Sequence, residues 1–329
     1  MDSPPPPSSS SSSTGPSRRH VSPSSLNPSQ KVHISSTTTT RTSPPRNNPL
    51  LPTPTELALL SVLPILLIFG TLFAVLSPDV NASTYDHLTQ SHDQGSLAPS
   101  YFARKNNLFN VLFVKRGWGW ITFSFFLFVF THPALKTSAQ RGRAAIRWAV
   151  VTMWWVFVTQ WFFGPAIIDR GFRFTGGKCQ VKMAEIAEAD EGDVGIKDVF
   201  TAAACKGAGG RWSGGHDISG HVFLLVLGSC FLLQEVGWVV GRWVKAERYQ
   251  QGQEDSIRGG VVEALGHGGK VAIAVVGLCV WMLLMTAIYF HTWFEKLTGL
   301  LVALAALYVT YILPRWVPAL RSIIGLPGI

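Results

Sequence analysis

The stretch Val271 to Phe290, VAIAVVGLCVWMLLMTAIYF, decides the fold class of this chain, because it runs for twenty residues without a charged side chain. The hydrocarbon core of a bilayer is about 30 Å thick, and about 20 apolar helical residues cross it. Five further segments approach this length. We therefore predict an all-α, polytopic membrane bundle of six transmembrane helices, over residues 57–76, 118–135, 148–168, 221–240, 271–290 and 297–313.

The composition of the whole chain also indicates a membrane protein. Of its 329 residues, 47% are hydrophobic and 14% are charged, which is too apolar for an ordinary soluble domain. The net charge of +9 would suit nucleic acid, but most Lys and Arg residues lie beside apolar segments, and the sequence contains no nucleic-acid-binding module. We interpret these cations as determinants of topology and as contacts to anionic lipids, and we exclude nucleic acid as a partner.

Residues 1–55 have a different composition, dominated by Ser, Thr and Pro. Such a segment has too little apolar surface to fold, so we predict a disordered cytoplasmic tail. It lacks the apolar core of a cleavable signal peptide, and we expect the first span to act as a signal anchor. We expect the membrane domain to occupy residues 56–315, and residues 316–329 to form a short cytoplasmic tail.

The distribution of Lys and Arg predicts the orientation of the spans, since these residues accumulate in short cytoplasmic connections. Residues 136–147 contain four of them and no acid, and residues 242–270 contain five. We therefore expect both connections, and both termini, to face the cytoplasm. The connections after spans one, three and five then face the lumen, as does the glycosylation sequon at Asn81.

The four cysteines are scattered and include no C-x-x-C pair, so their spacing indicates neither a metal ribbon nor a redox motif. Cys179 and Cys205 lie in the longest luminal connection, residues 169–220. An oxidising lumen would allow a disulfide between them. The sequence leaves that pairing open.

A histidine and a carboxylate follow the fifth span in the motif His291-Thr292-Trp293-Phe294-Glu295. Taken alone, His291 is typical of a histidine that caps a helix C-terminus. The spacing supports a second interpretation, because residues four apart on a helix are neighbours. Glu295 can then hold one imidazole nitrogen while the other acts as a nucleophile or base.

A second motif, Ser219-Gly220-His221, opens the fourth span on the same predicted face. Backbone N–H groups and the dipole favour an anion at a helix start, and glycine lets that anion approach closely. By itself the motif is more typical of an N-cap serine beside an incidental histidine. Two histidines, an orienting acid and an anion-binding helix start together indicate phosphorus chemistry, with a nucleophile and a general acid.

The order S-G-H and then H-x-x-x-acid resembles the lipid phosphate phosphatase (phosphatidic acid phosphatase type 2) superfamily. More specifically, the six spans are similar to the fat storage-inducing transmembrane (FIT) family, as are three motifs: the segment from Asn110 to Trp120, the segment from Ser219 to Phe223 and the segment from Tyr289 to Lys296. This resemblance covers about residues 55–315, and the last motif is its most specific part.

The resemblance implies an endoplasmic reticulum hydrolase that cleaves the diphosphate of fatty acyl-CoA, giving acyl 4′-phosphopantetheine and adenosine 3′,5′-bisphosphate, without a cofactor or metal. It also implies roles in lipid droplet biogenesis, phospholipid biosynthesis and membrane lipid balance. By motif, His291 would be the nucleophile, Glu295 its orienting acid and His221 the general acid. Membrane lipids would be its other partners.

The phosphate-binding residues are not given by the resemblance, because the superfamily's usual lysine and Arg-Pro motif does not precede Ser219. Four basic residues in the first luminal connection, between Arg104 and Arg116, also oppose the charge bias of the topology. We therefore take Lys115 and Arg116, with Ser219 and Gly220, as candidates to bind the substrate phosphates. The alternative for Lys115 and Arg116 is a solvated pair that anchors the span at the interface.

Three other functions remain open on the sequence. A phosphatase for lipid phosphates such as phosphatidate could use the same three groups. A noncatalytic protein could bind neutral lipid, diacylglycerol or triacylglycerol, between its helices. A metal-dependent hydrolase could use four side chains as ligands, since H-x-x-x-E on one helix face can coordinate zinc. These four are His216, His221, His291 and Glu295.

Overall fold

The computed structural model describes residues 54–86, 91–160, 165–180, 201–207, 209–213, 215–250, 260 and 262–328. The predicted disordered tail therefore lies outside the described residues except for its last two positions. Within the described part of the chain, six helices have 15 residues or more. They are α1 Pro54–Leu76, α3 Gly117–Thr131, α4 Ser138–Thr159, α7 Gly220–Gln250, α8 Gly266–Tyr289 and α9 Trp293–Leu307.

Short elements connect these helices. Between α1 and α3 lie α2 Pro78–Asn81, the antiparallel hairpin of β1 Tyr85–Asp86 and β2 Ser91–His92, 3-10 turns at Gly95–Leu97 and Tyr101–Ala103, and a π-helical turn at Phe109–Val114. Between α4 and α7 lie α5 Ile167–Phe174, α6 Ala202–Gly207 and the antiparallel pair of β3 Lys178–Gln180 and β4 Arg211–Ser213. After α9 come a π-helical turn at Tyr308–Ile312, α10 Leu313–Trp316 and α11 Pro318–Ile324.

Three helical segments of the described chain are long and apolar enough to cross a membrane, namely Gly220–Trp243, Gly266–Tyr289 and Trp293–Trp316. Two shorter apolar segments, Leu60–Leu76 and Gly117–Thr131, accompany them. The prediction of a helical membrane bundle therefore agrees with the structure. Of the six predicted spans, three meet the length and composition needed for a crossing.

The predicted bounds of the third span, residues 148–168, were wrong. The helix α4 begins at Ser138, because Thr137 and Gln140 form a capping box at its start. Its first turns therefore contain three of the four basic residues that we predicted in a loop, since a cap and good helix formers extend a helix beyond its apolar part. At its other end, α4 stops at Thr159.

The helices α7 and α8 form the centre of the bundle, and α1, α3 and α9 pack around them. Glycine residues lie where these helices approach one another closely. A Cβ atom added at Gly70 of α1 would lie 2.5 Å from the Cβ of Ala287 in α8, and one at Gly268 of α8 would lie 2.6 Å from the Cα of Phe128 in α3. Small residues allow such close packing in a membrane, where burial from water does not drive association.

A buried ion pair joins α4 to α7. Glu235 lies about four turns into α7, and Arg147 donates from Nε to its Oε1 (2.6 Å) and from Nη2 to its Oε2 (2.7 Å). The hydroxyl of Tyr311 also donates to Oε1 of Glu235 (2.7 Å). We predicted Arg147 in a cytoplasmic connection between two spans, but it lies in α4 and is 4% exposed. The carboxylate of Glu235 stabilises this charge inside the bundle, where an unpaired cation would be costly.

The same arginine binds the C-terminal end of the described chain. Its Nη1 donates to the carbonyl of Ile324 at the end of α11 (3.0 Å), and the side chain of Ile324 is buried. Residues 316–329 were predicted to be a short tail. The structure shows that this segment contains the helix α11, which packs against α4.

Candidate active site

The two histidine motifs meet at one end of the bundle, where α8 ends and α7 and α9 begin. The N–H of Ser219 donates to the carbonyl of Glu295 (3.2 Å). A Cβ atom at Gly299 would lie 2.7 Å from the carbonyl oxygen of Ser219, so a glycine is needed there for α9 to reach the start of α7. These backbone contacts bring S-G-H and H-x-x-x-E together.

His291 lies in the tight connection between α8 and α9. Its φ is 60°, which makes it the one non-glycine residue with positive φ in the described chain. Such a conformation costs about 1–3 kcal/mol and is concentrated at functional sites. The connection places Nδ1 of His291 3.3 Å from Oε2 of Glu295. The predicted pair is thus formed, but by a turn and the start of a new helix, and not by two residues on one helix.

Glu295 is fixed by the capping box that starts α9. Its Oε2 accepts from the N–H of Thr292 (2.9 Å), and the Thr292 hydroxyl oxygen accepts from the N–H of Glu295 (3.4 Å). The side chains of His291 and Glu295 are only 10% and 11% exposed. Since the carboxylate can only accept, Nδ1 of His291 carries the hydrogen. In the neutral ring, Nε2 is then the nitrogen with a free lone pair.

Asn110 holds the imidazole of His221. Its Nδ2 donates to the carbonyl of Lys105 (2.7 Å), which fixes the orientation of the amide because a carbonyl only accepts. Its Oδ1 then faces Nε2 of His221 at 3.0 Å, so this nitrogen carries a hydrogen. Nδ1 of His221 can gain or lose a proton without breaking this bond. The His221 ring is parallel to Phe290, and its centroid is 6.1 Å from that of His291.

Ser219 and Gly220 differ in what they offer to a ligand. Ser219 is fully buried, and its Oγ accepts from the N–H of Val222 (3.3 Å). The structure thus gives the Ser219 side chain the N-cap role, and the predicted binding of substrate by Ser219 gains no support from this geometry. Gly220 is half-buried at the start of α7, where a helix presents N–H groups to an anion.

The two predicted phosphate-binding residues, Lys115 and Arg116, have different surroundings in the structure. Both residues are exposed in the turn before α3. Lys115 and Lys105 lie close enough to His221 for their positive charges to influence it. Arg116 instead lines a shallow cleft on α3, together with Gly119, Trp120 and Phe123. Lys115 is therefore brought to the site, and Lys105 joins it.

Cys179 and Cys205 form a disulfide that ties β3 to α6. Lys206 follows Cys205 directly and lies close enough to Lys105 to repel its ammonium group. Burial, and then this repulsion, lowers the pKa of Lys105, while the negative charge of Asp86 opposes the shift. The disulfide therefore fixes the backbone next to Lys206, whose positive charge acts on Lys105.

The hairpin of β1 and β2 lies against the turn that contains His291. Ser91 forms an antiparallel bridge with Phe290, the residue before His291. Burial raises the pKa of the Tyr85 hydroxyl above its usual value, and the nearby charge of Glu295 adds to the shift. Burial also lowers the pKa of His92, whose ring meets Tyr85 edge to face at 5.3 Å. The hairpin thus packs next to the residue that precedes His291.

His216 lies apart from the histidine pair. Its Nε2 is 3.1 Å from the hydroxyl of Thr298, and its ring lies 4.5 Å from that of Phe294. No group of three or more His, Cys, Asp or Glu side chains in the described residues is arranged to hold a metal ion. The metal-dependent alternative therefore gains no support from the geometry.

Comparison with known proteins identifies the family. A family model described as "Fat storage-inducing transmembrane protein" matches residues 98–311, more than half of the chain. The chain belongs to this family. Membership and the three candidate spans together make it a multi-pass membrane protein of the FIT family. No solved structure matches the chain.

Two relatives carry a name that states an activity. An acyl-coenzyme A diphosphatase of Schizosaccharomyces pombe is 36% identical over 227 residues, which cover 69% of this chain and 78% of that protein. An acyl-coenzyme A diphosphatase of Bos taurus is 32% identical over 218 residues, which cover 65% of this chain and 73% of that protein. In both cases the similarity extends over most of the relative.

The sequence patterns did not indicate two residues that lie at this candidate site. In the sequence, Asn110 stood out only as part of a family motif. It is a polar residue inside the otherwise apolar segment Phe109–Val114, and this contrast could have indicated a functional residue. The structure shows a π-helical turn there, and such turns often mark functional sites. Lys105 was noted only as a charge that opposed the topology. Its role depends on the fold of the connection before α3, which no local pattern indicates.

Proposed function

We propose that this chain is an acyl-CoA diphosphatase of the endoplasmic reticulum membrane. It hydrolyses fatty acyl-CoA to acyl 4′-phosphopantetheine and adenosine 3′,5′-bisphosphate. The observation that carries the proposal is the pairing of His291 with Glu295, with His221 held 6.1 Å away between the same helix ends. The names of the yeast and bovine relatives support the choice of substrate.

In this mechanism His291 is the nucleophile. Its Nε2 attacks one phosphorus of the diphosphate, a phosphorus–nitrogen bond forms, and the bond from that phosphorus to the bridging oxygen breaks. The imidazole gains positive charge during the attack, which the carboxylate of Glu295 stabilises through Nδ1–H. The strained turn keeps the ring in place before substrate binds, so no ordering is needed at the moment of reaction.

His221 is the general acid. It gives a proton to the bridging oxygen as the phosphate departs, and in the second step it takes a proton from the water that attacks the phosphohistidine. Asn110 keeps Nε2–H of His221 in a fixed hydrogen bond, which orients the ring for proton transfer at Nδ1. The second step restores both histidines and completes the hydrolysis.

Cations and backbone donors bind the diphosphate. Lys105 and Lys115 place positive charge next to His221, and the start of α7 at Gly220 adds N–H groups and the helix dipole. Charge that develops on the phosphate oxygens is stabilised best by groups that are already in position. This arrangement replaces the lysine and Arg-Pro motif that the sequence lacks.

The proposed topology has six spans with both termini in the cytoplasm and the active site in the lumen. The helices α1, α3 and α4 are the other three proposed spans, in addition to the three candidate spans. The disulfide suits an oxidising compartment, and it lies at the same end of the chain's helices as the site. An amphiphile fits this position, because its acyl chain stays in the bilayer while its nucleotide reaches the aqueous side. Removal of acyl-CoA would support lipid droplet biogenesis and membrane lipid balance.

Product analysis tests the proposal. Purified full-length protein in detergent, with chelator present, is given oleoyl-CoA or phosphatidate, and products are identified by mass. We expect adenosine 3′,5′-bisphosphate from oleoyl-CoA, lost in His221→Ala and His291→Ala and retained in the control His216→Ala, whose side chain lies outside the pair. Inorganic phosphate from phosphatidate alone would favour a lipid phosphatase. Refusal of both substrates by folded protein would favour noncatalytic neutral-lipid binding.

A further inference from the structure

We propose that Lys296 is a positioning residue for the reaction, which holds His291 in its turn by capping the C-terminal end of α8. The inference rests on the proposed function, because it concerns how the nucleophile of that reaction is kept in place. The side chain of Lys296 acts through the backbone of α8 and not on the substrate.

The turn at His291 interrupts the backbone hydrogen bonds of α8. In a continuing helix each N–H donates to the carbonyl four residues earlier, so His291 would donate to Ala287. In the described chain the last bond of this kind in α8 runs from the N–H of Phe290 to the carbonyl of Thr286 (3.1 Å). The chain then leaves the helix, and the φ of His291 is 60°. The carbonyl of Ala287 therefore needs a donor from elsewhere.

Lys296 supplies this donor from the first turn of α9. Its Nζ donates to the carbonyl of Ala287 (2.5 Å). Its backbone N–H donates to the carbonyl of Thr292 (3.1 Å), so the helix start that fixes Glu295 also fixes Lys296. One turn of α9 thus carries both the carboxylate that contacts His291 and the ammonium group that binds the preceding helix.

A second hydrogen bond holds the ammonium group. Nζ of Lys296 also donates to Oγ1 of Thr71 in α1 (3.3 Å), and the Thr71 hydroxyl donates to the carbonyl of Leu67 (2.8 Å). The helix α1 comes close at this point, since a Cβ atom at Gly70 would lie 2.5 Å from the Cβ of Ala287. Lys296 is only 5% exposed. Its ammonium group is therefore enclosed where α1, α8 and α9 meet.

A cation is suited to this position. The C-terminal end of a helix carries partial negative charge, which a lysine beside the last carbonyls stabilises. Burial of a cation is nevertheless costly, and the two oxygens that bind Nζ of Lys296 are neutral. An apolar side chain would avoid that cost, so packing alone does not account for a lysine here. Capping the carbonyl of Ala287 does account for it.

Loss of the ammonium group would favour a different turn. The carbonyl of Ala287 would be left without its donor inside the bundle, and the chain could satisfy it by continuing α8 through His291. That change would replace the strained positive φ of His291 with a helical one. The imidazole would then leave its position 3.3 Å from Oε2 of Glu295. Lys296 thus keeps the strained turn more stable than the longer helix.

The kinetic test uses full-length protein in detergent with oleoyl-CoA. Lys296→Met keeps an unbranched side chain without the ammonium group, and we expect kcat to fall about 10- to 100-fold, as for the loss of a hydrogen bond to a charged group. KM should stay within about twofold of the wild type. Lys296→Arg keeps the charge and the donors and should recover most of the loss. The control Thr71→Val removes only the other partner of Nζ and should keep kcat within about twofold of the wild type.

Nitrogen-15 NMR of the histidine rings separates this inference from the proposed function, because it needs no turnover. The signals of His291 are assigned by their absence in His291→Ala. We expect Nδ1 of His291 to carry the hydrogen in the wild type and in Thr71→Val, and to lose this preference in Lys296→Met. That loss without any turnover of oleoyl-CoA by the wild type would remove the proposed reaction and keep the positioning role.

Two results would overturn the inference. One is a folded Lys296→Met protein with the wild-type tautomer and a kcat within about twofold of the wild type. The other is a lower thermal midpoint with unchanged kcat per folded molecule, which would assign Lys296 to the fold alone. If Lys296→Met does not fold, Lys296→Gln, a shorter and neutral donor, carries the same expectations and is overturned by the same results.

Discussion

The change Glu295→Gln separates the orienting role of this carboxylate from its role in the fold. Glutamine serves at the third position of a capping box as well as glutamate does. The bond from the N–H of Thr292 and the start of α9 should therefore persist. What is lost is the negative charge beside Nδ1 of His291, at 3.3 Å. We thus expect a folded protein whose nucleophile is poorly stabilised.

The expected magnitude follows from this distance. A hydrogen bond to a charged group contributes about 1.5–3 kcal/mol, and strong charge-assisted bonds are shorter than this one, at about 2.7–2.9 Å. We therefore expect the lower part of the range, about 1.5–2 kcal/mol, or about a 10- to 30-fold loss. The loss should appear in kcat with KM nearly constant, because the imidazole gains its positive charge only during the attack.

The assay is release of adenosine 3′,5′-bisphosphate from oleoyl-CoA, measured with the thermal midpoint of each variant. Glu295→Ala is the comparison, since it removes the cap as well and should cost about 1 kcal/mol of additional stability. A kcat for Glu295→Gln within about twofold of the wild type, at an unchanged thermal midpoint, would refute the orienting role.

Three further predictions use other parts of the structure. Asn110→Leu should lower kcat/KM about 5- to 150-fold, because Nε2–H of His221 loses its hydrogen-bond acceptor at a cost of about 1–3 kcal/mol. Asn110→Asp keeps an acceptor and should retain more activity. Equal activities of the two variants would contradict the contact. The KM for acyl-CoA should rise with pH as Lys105 loses its proton. This rise should occur at a lower pH than for a solvated lysine, because the pKa of Lys105 is lowered. Lys105→Arg should abolish the rise, since arginine stays charged. Arg147→Met should destabilise the protein by about 3–5 kcal/mol by leaving Glu235 buried and unpaired, and the double variant with Glu235→Leu should recover much of that loss in thermal unfolding; additive losses would contradict the pairing.

The sequence was most informative where a pattern is local. The apolar stretch from Val271 to Phe290 predicted α8 closely, since length and composition alone determine a membrane helix. The four-residue separation of His291 and Glu295 in the sequence predicted their contact, although His291 lies in a turn with positive φ and not within a continuous helix. The resemblance to the FIT family, based on the same motifs, is confirmed by the family match.

The sequence was less informative where a residue is defined by distant partners. Arg147 was expected in a loop because charged residues mark cytoplasmic connections, but its partner Glu235 lies 88 residues away and compensates its charge inside the bundle. The pairing of Asn110 with His221 spans 111 residues. Likewise, the disulfide beside Lys206 depends on the geometry of β3 and α6, which spacing alone does not define.

The central claim, that His291 is the nucleophile of an acyl-CoA diphosphatase, is tested most directly by mass spectrometry of the protein during turnover of oleoyl-CoA. Reactions are quenched at alkaline pH, where phosphohistidine survives, and the peptide that contains His291 is examined. We expect a phosphorus-linked adduct on His291 in the wild type, a larger fraction of it in His221→Ala if the second step is slowed more than the first, and none in His291→Ala. The mass of the adduct also identifies which phosphorus is attacked. Release of adenosine 3′,5′-bisphosphate by His291→Ala at the wild-type rate would contradict the account.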